Sequence, residues 1–184
     1  MEMGGKATNA MPIISKLFCS SSQVVLVVRR RPRVINGGGF VVTDSSQTVV
    51  FKVDGCGVLG TKGELIVRDG DGGALLLIRR KGGVVQALSI HGQWKGYSFD
   101  YEGLQKLGTQ NWDFEINGYF PDRDCSIVDS KGNIVAQVGV KKEVDEFMGS
   151  KDLYHVVIKP GIDQAFVFGV IAVLDYIYGE STRC

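Results

Sequence analysis

The residues with the strongest claim on chemistry are basic and clustered: Arg29, Arg30, Arg31 and Arg33; Arg79, Arg80 and Lys81; Lys141 and Lys142. Each cluster closes an apolar run, where charge commonly blunts the edge of a sheet and keeps it in water. If the fold brings two clusters together, the same side chains suit an anionic lipid headgroup, because grouped Lys and Arg neutralise phosphate. Arg29, Arg30, Arg31, Arg79, Arg80, Lys81, Lys141 and Lys142 are therefore the candidate ligand-binding residues. Trp94 and Tyr97, between the second and third clusters, are read as packing residues.

Catalysis finds little support. His155 alternates in phase with Leu153 and Val157, and His91 precedes Gly92 at the end of a run, so neither has a sequence-identifiable nucleophile beside it. No Gly-x-Ser-x-Gly, His-Glu-x-x-His or Walker pattern occurs. Cys19, Cys56, Cys125 and Cys184 are widely spaced, without the pairing that a structural zinc site needs. Gly55, Gly57 and Gly60 spell a dinucleotide fingerprint, yet a turn and another strand follow where a helix N-terminus must hold the pyrophosphate. Asp69 and Asp71 open like a calcium loop, but Arg80 stands where the bidentate Glu belongs; Asp122 and Asp124 fail in the same way, at Asn133. The expectation is no catalytic residue, no metal and no cofactor.

Composition sets the frame for these residues. Lys and Arg number 21 against 20 Asp and Glu, so no whole-molecule field attracts nucleic acid or an anionic membrane, and any such binding is local. In 184 residues there are 25 Gly and only 4 Pro, which favours many short strands joined by tight turns. No signal-peptide core precedes the basic cluster at 29–31, and an intracellular, cytoplasmic protein with reduced cysteines is expected, peripheral at a membrane where it meets one.

The chain divides into a flexible tail over 1–22 and one domain over 23–184. From Gln23 to Lys159 it is a succession of runs rich in Val, Ile and Phe. Val49, Phe51 and Val53 oppose Thr48 and Lys52; Phe114 and Ile116 oppose Asp113 and Glu115; Ile134, Ala136, Val138 and Val140 oppose Gln137 and Lys141. Strands of this kind bury one face and wet the other. Asp44, Asp69 and Asp129 each centre a hairpin turn, where a carboxylate accepts turn amides.

After Pro160 and Gly161 the pattern breaks. Asp163 caps a predicted helix over 164–178, and Ala165 to Leu174 is apolar on every side. A helix without a polar face must be enclosed, and ten apolar residues is about half of the roughly 20 that a bilayer crossing requires. Enclosure by protein stabilises by about 15 to 30 kcal/mol gross, at about 1.5 to 3 kcal/mol per large side chain. A long antiparallel sheet curls, and a wide barrel has room inside. The expected fold is mainly β: a closed antiparallel barrel of about twelve strands enclosing the hydrophobic C-terminal helix.

The stretches FVVTDSSQTVVFKVDG, LIVRDGDGGALLLIRRK, WDFEINGYFPDRDCSIVDSKGNIVAQV and GSKDLYHVVIKPGIDQAFVFGVIAVLDYI resemble, in that order, the LURP-one-related family of plant proteins. The resemblance covers about residues 23 to 178, and Lys159-Pro-Gly-Ile-Asp-Gln-Ala-Phe166 is its most specific element. It implies the tubby C-terminal-like fold, a twelve-stranded barrel around a central helix, shared with tubby proteins and phospholipid scramblases. It also implies association with plant defence and a membrane-tethered regulator that binds phosphoinositides. One departure stands out: the stretch from Trp94 to Trp112 is shorter than the family norm. The function expected is a non-catalytic, monomeric defence module binding an anionic phospholipid or a signalling protein. The alternative is a small-ligand carrier or enzyme using a pocket at the barrel mouth. Direct control of transcription is disfavoured, since no base-reading element is present.

Overall fold

The computed structural model describes residues 14–32, 37–55, 64–81, 93–99, 105–106, 114–140, 152–178 and 182, with 80, 81, 93–99 and 105–106 as backbone alone. Eleven strands follow one another: β1 (Val24–Arg30), β2 (Gly39–Thr43), β3 (Val49–Asp54), β4 (Glu64–Asp69), β5 (Ala74–Lys81), β6 (Gln93–Phe99), β7 (Gln105–Lys106), β8 (Phe114–Tyr119), β9 (Asp124–Asp129), β10 (Ile134–Gly139) and β11 (Leu153–Ile158). Among the described residues one α-helix, α1 (Gln164–Ile177), follows the last strand.

All the strands lie in one antiparallel sheet with the order β7-β6-β5-β4-β3-β2-β1-β11-β10-β9-β8. Two meanders, β1 to β7 and β8 to β11, are therefore joined where the first strand pairs with the last, Val24 opposite Ile158 and Arg29 opposite Leu153. The closed barrel of about twelve strands is corrected here. The described sheet has eleven strands, and β7 and β8, neighbours in sequence, stand at its two ends with no ladder between them among the described residues. β7 holds two residues, too few to carry a register onto β8, and Gly103 and Gly108 interrupt the alternation around it.

Three hairpins form as their carboxylates require. Asp44 accepts the amides of Ser46 and Thr48, both at 2.9 Å. Asp69 accepts that of Gly73 at 2.6 Å, and Asp129 those of Lys131 and Asn133 at 2.9 and 2.8 Å. Ala136 and Val138 are buried as the alternation predicts, but a register shift between Ile134 and Ala136 turns Ile134 outward.

The helix is wrapped by the sheet. Ala165 to Ala172 are all buried, and the concave face supplies Leu26, Val28, Phe40, Val42, Phe51, Val53, Leu65, Val67, Leu76 and Ile78 around them. Gly169 sits against β5: a Cβ there would lie 2.5 Å from Leu76 Cδ2. At the N-terminal end of α1, Asp163 accepts the amide of Phe166 at 3.3 Å and, through its other oxygen, those of Ile14 and Ser15 at 2.6 and 3.1 Å. The same carboxylate thus caps the helix and attaches residues 14–20, part of the stretch expected as a tail, with Phe18 packed on Phe51.

Candidate functional site: a basic outer face

The alternation of β1 sorts its arginines. Leu26 and Val28 are buried against the core, so the even positions face inward; Val25, Val27 and Arg29 face out. Arg30 follows the inward parity and pairs with Asp152 at 2.8 Å and with the buried Asp175 of α1 at 3.7 Å. It ties the first strand to the end of the helix and stands apart from its neighbours.

Arg29 belongs to a different constellation. It lies opposite Val41, Val41 opposite Lys52, and Lys52 opposite Arg68, so three cations occupy one row across β1 to β4 on the convex side. Adjacent strands are about 4.8 Å apart, which places Lys52 and Arg68 side by side and Arg29 about two strands away. Arg31 joins them from the next row. Its amide donates to Gly39 O at 2.8 Å, and Gly39 is opposite Asp54.

Asp54 organises the group. One oxygen takes Arg31 Nη2 at 3.2 Å and the other takes Arg68 Nε at 2.8 Å. Arg31 Nη2 also donates to Val53 O at 2.9 Å, Lys52 Nζ to Gly70 O at 2.8 Å, and Arg68 Nη1 to Gly72 O at 3.2 Å. Two of the four cations, Arg31 and Arg68, are thus held by one carboxylate, and Lys52 by a backbone carbonyl. Fixing the stems in this way reduces the side-chain entropy that a ligand would otherwise have to remove.

The other candidates fall elsewhere. Arg79 pairs with Glu64 at 2.7 Å, four residues along β4 from Arg68 and so about 13 Å from that row. The backbones of Arg80 and Lys81 pair with Trp94 and Gln93; their side chains, together with Lys141, Lys142, His91, Cys56 and Cys184, lie outside the described residues. Sequence reasoning missed Lys52 and Arg68, each a lone base on the polar side of an ordinary strand. Their one signal was parity, since Lys52 alternates with buried Phe51 and Val53, and Arg68 with buried Leu65 and Val67.

His155 is half-buried on the convex side between Val27 and Gly139. Cys125 is buried in the core, and burial pushes its thiol up to about 11, which makes it an inert apolar filler. Burial foremost, then the charge of Asp163, raises the Cys19 thiol. Among the described residues no three His, Cys, Asp or Glu side chains come together as metal ligands. Among the same residues no helix is long and apolar enough to cross a membrane.

Comparison with known proteins agrees with this architecture. Residues 24–175 match the LURP-one-related family. Protein LURP-one-related 6 of Arabidopsis thaliana is 60% identical, with 94% of this chain and 98% of that protein aligned. Protein LURP-one-related 16 of the same plant is 47% identical, over 99% and 100% of the two chains. The first alignment runs over 194 positions but takes in 94% of 184 residues, or about 173, leaving about 21 positions with no residue of this chain. An X-ray structure of an Arabidopsis thaliana protein shares the fold, with a TM-score of 0.59 at 20% identity over 91% of this chain and 98% of that one. With the family matched along 24–175 and relatives aligned over nearly their whole length, the chain belongs to the LURP-one-related family.

Proposed function

We propose that this chain is a non-catalytic plant module, acting in defence, whose convex basic face holds a phosphorylated anionic headgroup of a membrane phosphoinositide. The observation that carries the reading is the row Arg29, Lys52 and Arg68, joined by Arg31, with Asp54 pairing Arg31 and Arg68. Charged hydrogen bonds from Arg to phosphate are strong and directional, and Lys adds a point charge between two guanidinium groups. With a net charge of +1, attraction toward such a surface comes from local clusters of this kind rather than from the molecule as a whole. Binding of this kind weakens with salt, since exposed charges are screened within about 8 Å at physiological ionic strength.

Liposome sedimentation tests the proposal. Phosphatidylcholine vesicles with and without phosphatidylinositol bisphosphate are compared for the native chain, Lys52→Glu with Arg29→Glu, and Arg79→Glu. The expected result is phosphoinositide-dependent pelleting that the double variant loses and Arg79→Glu retains. Equal pelleting on both vesicles, or none by the native chain, removes the lipid reading. Loss in Arg79→Glu alone would move the site to the second cluster.

A further inference from the structure

The convex face carries more than cations. A strand that buries one face and wets the other alternates apolar with polar residues, as β3 and β4 do where Lys52 and Arg68 point out. β1 and β11 depart from this. Val25, Val27, Leu153 and Val157 all lie on the convex side, with Val25 opposite Val157 and Leu153 opposite Arg29. Val41 of β2 flanks Arg29 from the other side. Val25 is 46% exposed, and the other four are half-buried. Paired strands stand about 4.8 Å apart and successive outward residues about 7 Å apart, so these five side chains form one aliphatic patch. Arg29 stands within it and also heads the row that leads to Lys52 and Arg68. Among the described residues of β1, β2 and β11, no outward position carries a carboxylate; Thr43 and His155 are the polar groups beside Val27.

We infer that this aliphatic patch rests in the interfacial layer of an anionic bilayer, so that the chain docks by its convex face with apolar side chains against lipid and cations against headgroups. The inference rests on the phosphoinositide reading of the cationic row and adds to it a second, uncharged contact. Apolar side chains beside Lys and Arg are the surface that lies at the boundary of headgroup and acyl chain, where the cations stay level with phosphate. Arg29 fits that boundary. Its stem runs between Leu153 and Val41 while its guanidinium is exposed, the arrangement in which a long cation covers apolar surface and keeps its charge in the polar layer. An anionic bilayer offers both chemistries side by side, matching the order in which β11, β1, β2, β3 and β4 present them.

Two ligands test the inference: vesicles containing phosphatidylinositol bisphosphate, and glycerophosphoinositol bisphosphate, the same headgroup without acyl chains. Each is titrated with the full chain. Val25→Thr with Val157→Thr keeps the shape and strand preference of both residues but replaces two methyl groups with hydroxyls. It should weaken vesicle binding roughly tenfold and leave binding of the free headgroup unchanged. Val25→Trp, at the most exposed of the five positions, should tighten vesicle binding by a similar factor, since Trp favours the interface. Unchanged melting shows that the variants keep the fold. Equal vesicle affinity in the native chain and both variants overturns the inference; if Arg29→Glu with Lys52→Glu still abolishes that binding, the headgroup reading outlives it. Parallel weakening of vesicle and free headgroup by the Thr pair also overturns it, because the lost contact is then with the headgroup. A native chain that binds neither ligand removes both readings. A native mass that rises from 20.0 kDa with concentration, and is returned to 20.0 kDa by the Thr pair, would assign the patch to a second copy of the chain and overturn the inference.

Discussion

Asp163 accepts the backbone amide of Ile14 at 2.6 Å across 149 residues of sequence while capping the helix that fills the sheet. One buried carboxylate therefore couples the start of the chain to its last element. Replacing it orphans three donors at once. Asp163→Ala is expected to cost about 2 to 4 kcal/mol, combining a lost cap with unsatisfied buried amides. Asp163→Asn, which keeps one acceptor oxygen, should cost about half as much. Urea unfolding reads the loss, and amide exchange at Ile14 and Ser15 should accelerate in step with it. Lost stability without faster exchange there would separate the cap from the attachment.

At Gly169 the helix approaches β5 too closely for a side chain, with Leu76 Cδ2 within 2.5 Å of the position a Cβ would take. Leu76 is fully buried, so its side chain can give way only by displacing core neighbours. Gly169→Val is expected to destabilise by about 1 to 3 kcal/mol through overpacking. In Gly169→Ala, a helix-propensity gain of up to about 1 kcal/mol offsets much of the clash. Combining Gly169→Val with Leu76→Ala should cost less than the two separately by about 1 kcal/mol, because each relieves the other. Strict additivity in thermal unfolding would show that the two groups do not meet.

Arg123 is 1% exposed, with its guanidinium 4.6 Å from the centre of the Phe120 ring and 4.4 Å from that of Tyr154. The two rings stand at 89° to one another and Arg123 Nη1 donates to Phe120 O at 3.1 Å, so a flat, multiply donating cation meets both rings and the carbonyl where a compact ammonium cannot. Arg123→Lys should lose about 1 to 2 kcal/mol and Arg123→Ala about 2 to 4 kcal/mol. The backbone adds a second, independent signature. Arg123 has φ +56°, so Arg123→Gly should be milder than Arg123→Ala by up to about 1 kcal/mol. Melting temperatures ranking Ala above Gly would refute the backbone half of the argument.

The turn carboxylates predict an acid-dependent loss of stability. A hydrogen bond from the Ser46 hydroxyl foremost, with the Thr48 and Ser46 amides, holds Asp44 below its ordinary value of 3.8. The Asn133 backbone amide foremost, then its side chain and Lys131, does the same for Asp129. Groups lowered on folding contribute stability that is present above the unfolded value and is lost as pH falls through the folded one. The difference in melting temperature between the native chain and Asp44→Asn with Asp129→Asn should be constant above about pH 5. It should then shrink as the pH falls below 3.8. A difference unchanged at pH 2 would assign the loss to geometry rather than charge.

Much of this architecture was written locally. Alternation in FVVTD, TVVFKV and FEI marked strands, Asp44, Asp69 and Asp129 marked their turns, and an unbroken apolar run from Ala165 to Leu174 required a wall around it. Those features depend on neighbours within a few residues, which is why they are legible in one dimension. The basic face depends on register between distant strands. Arg29, Lys52 and Arg68 meet only because β1 to β4 pair as they do, while Arg30, adjacent to Arg29 in sequence, turns to Asp175 on the other side. Closure of the sheet is likewise a property of how its ends meet, and among the described residues no ladder joins β7 to β8. By itself, then, the sequence determined the strands, the turns, the enclosed helix and the family. The pairing of strands decided which charges share a surface and which strands end the described sheet, because hydrogen-bond register is set by contacts that no single segment contains.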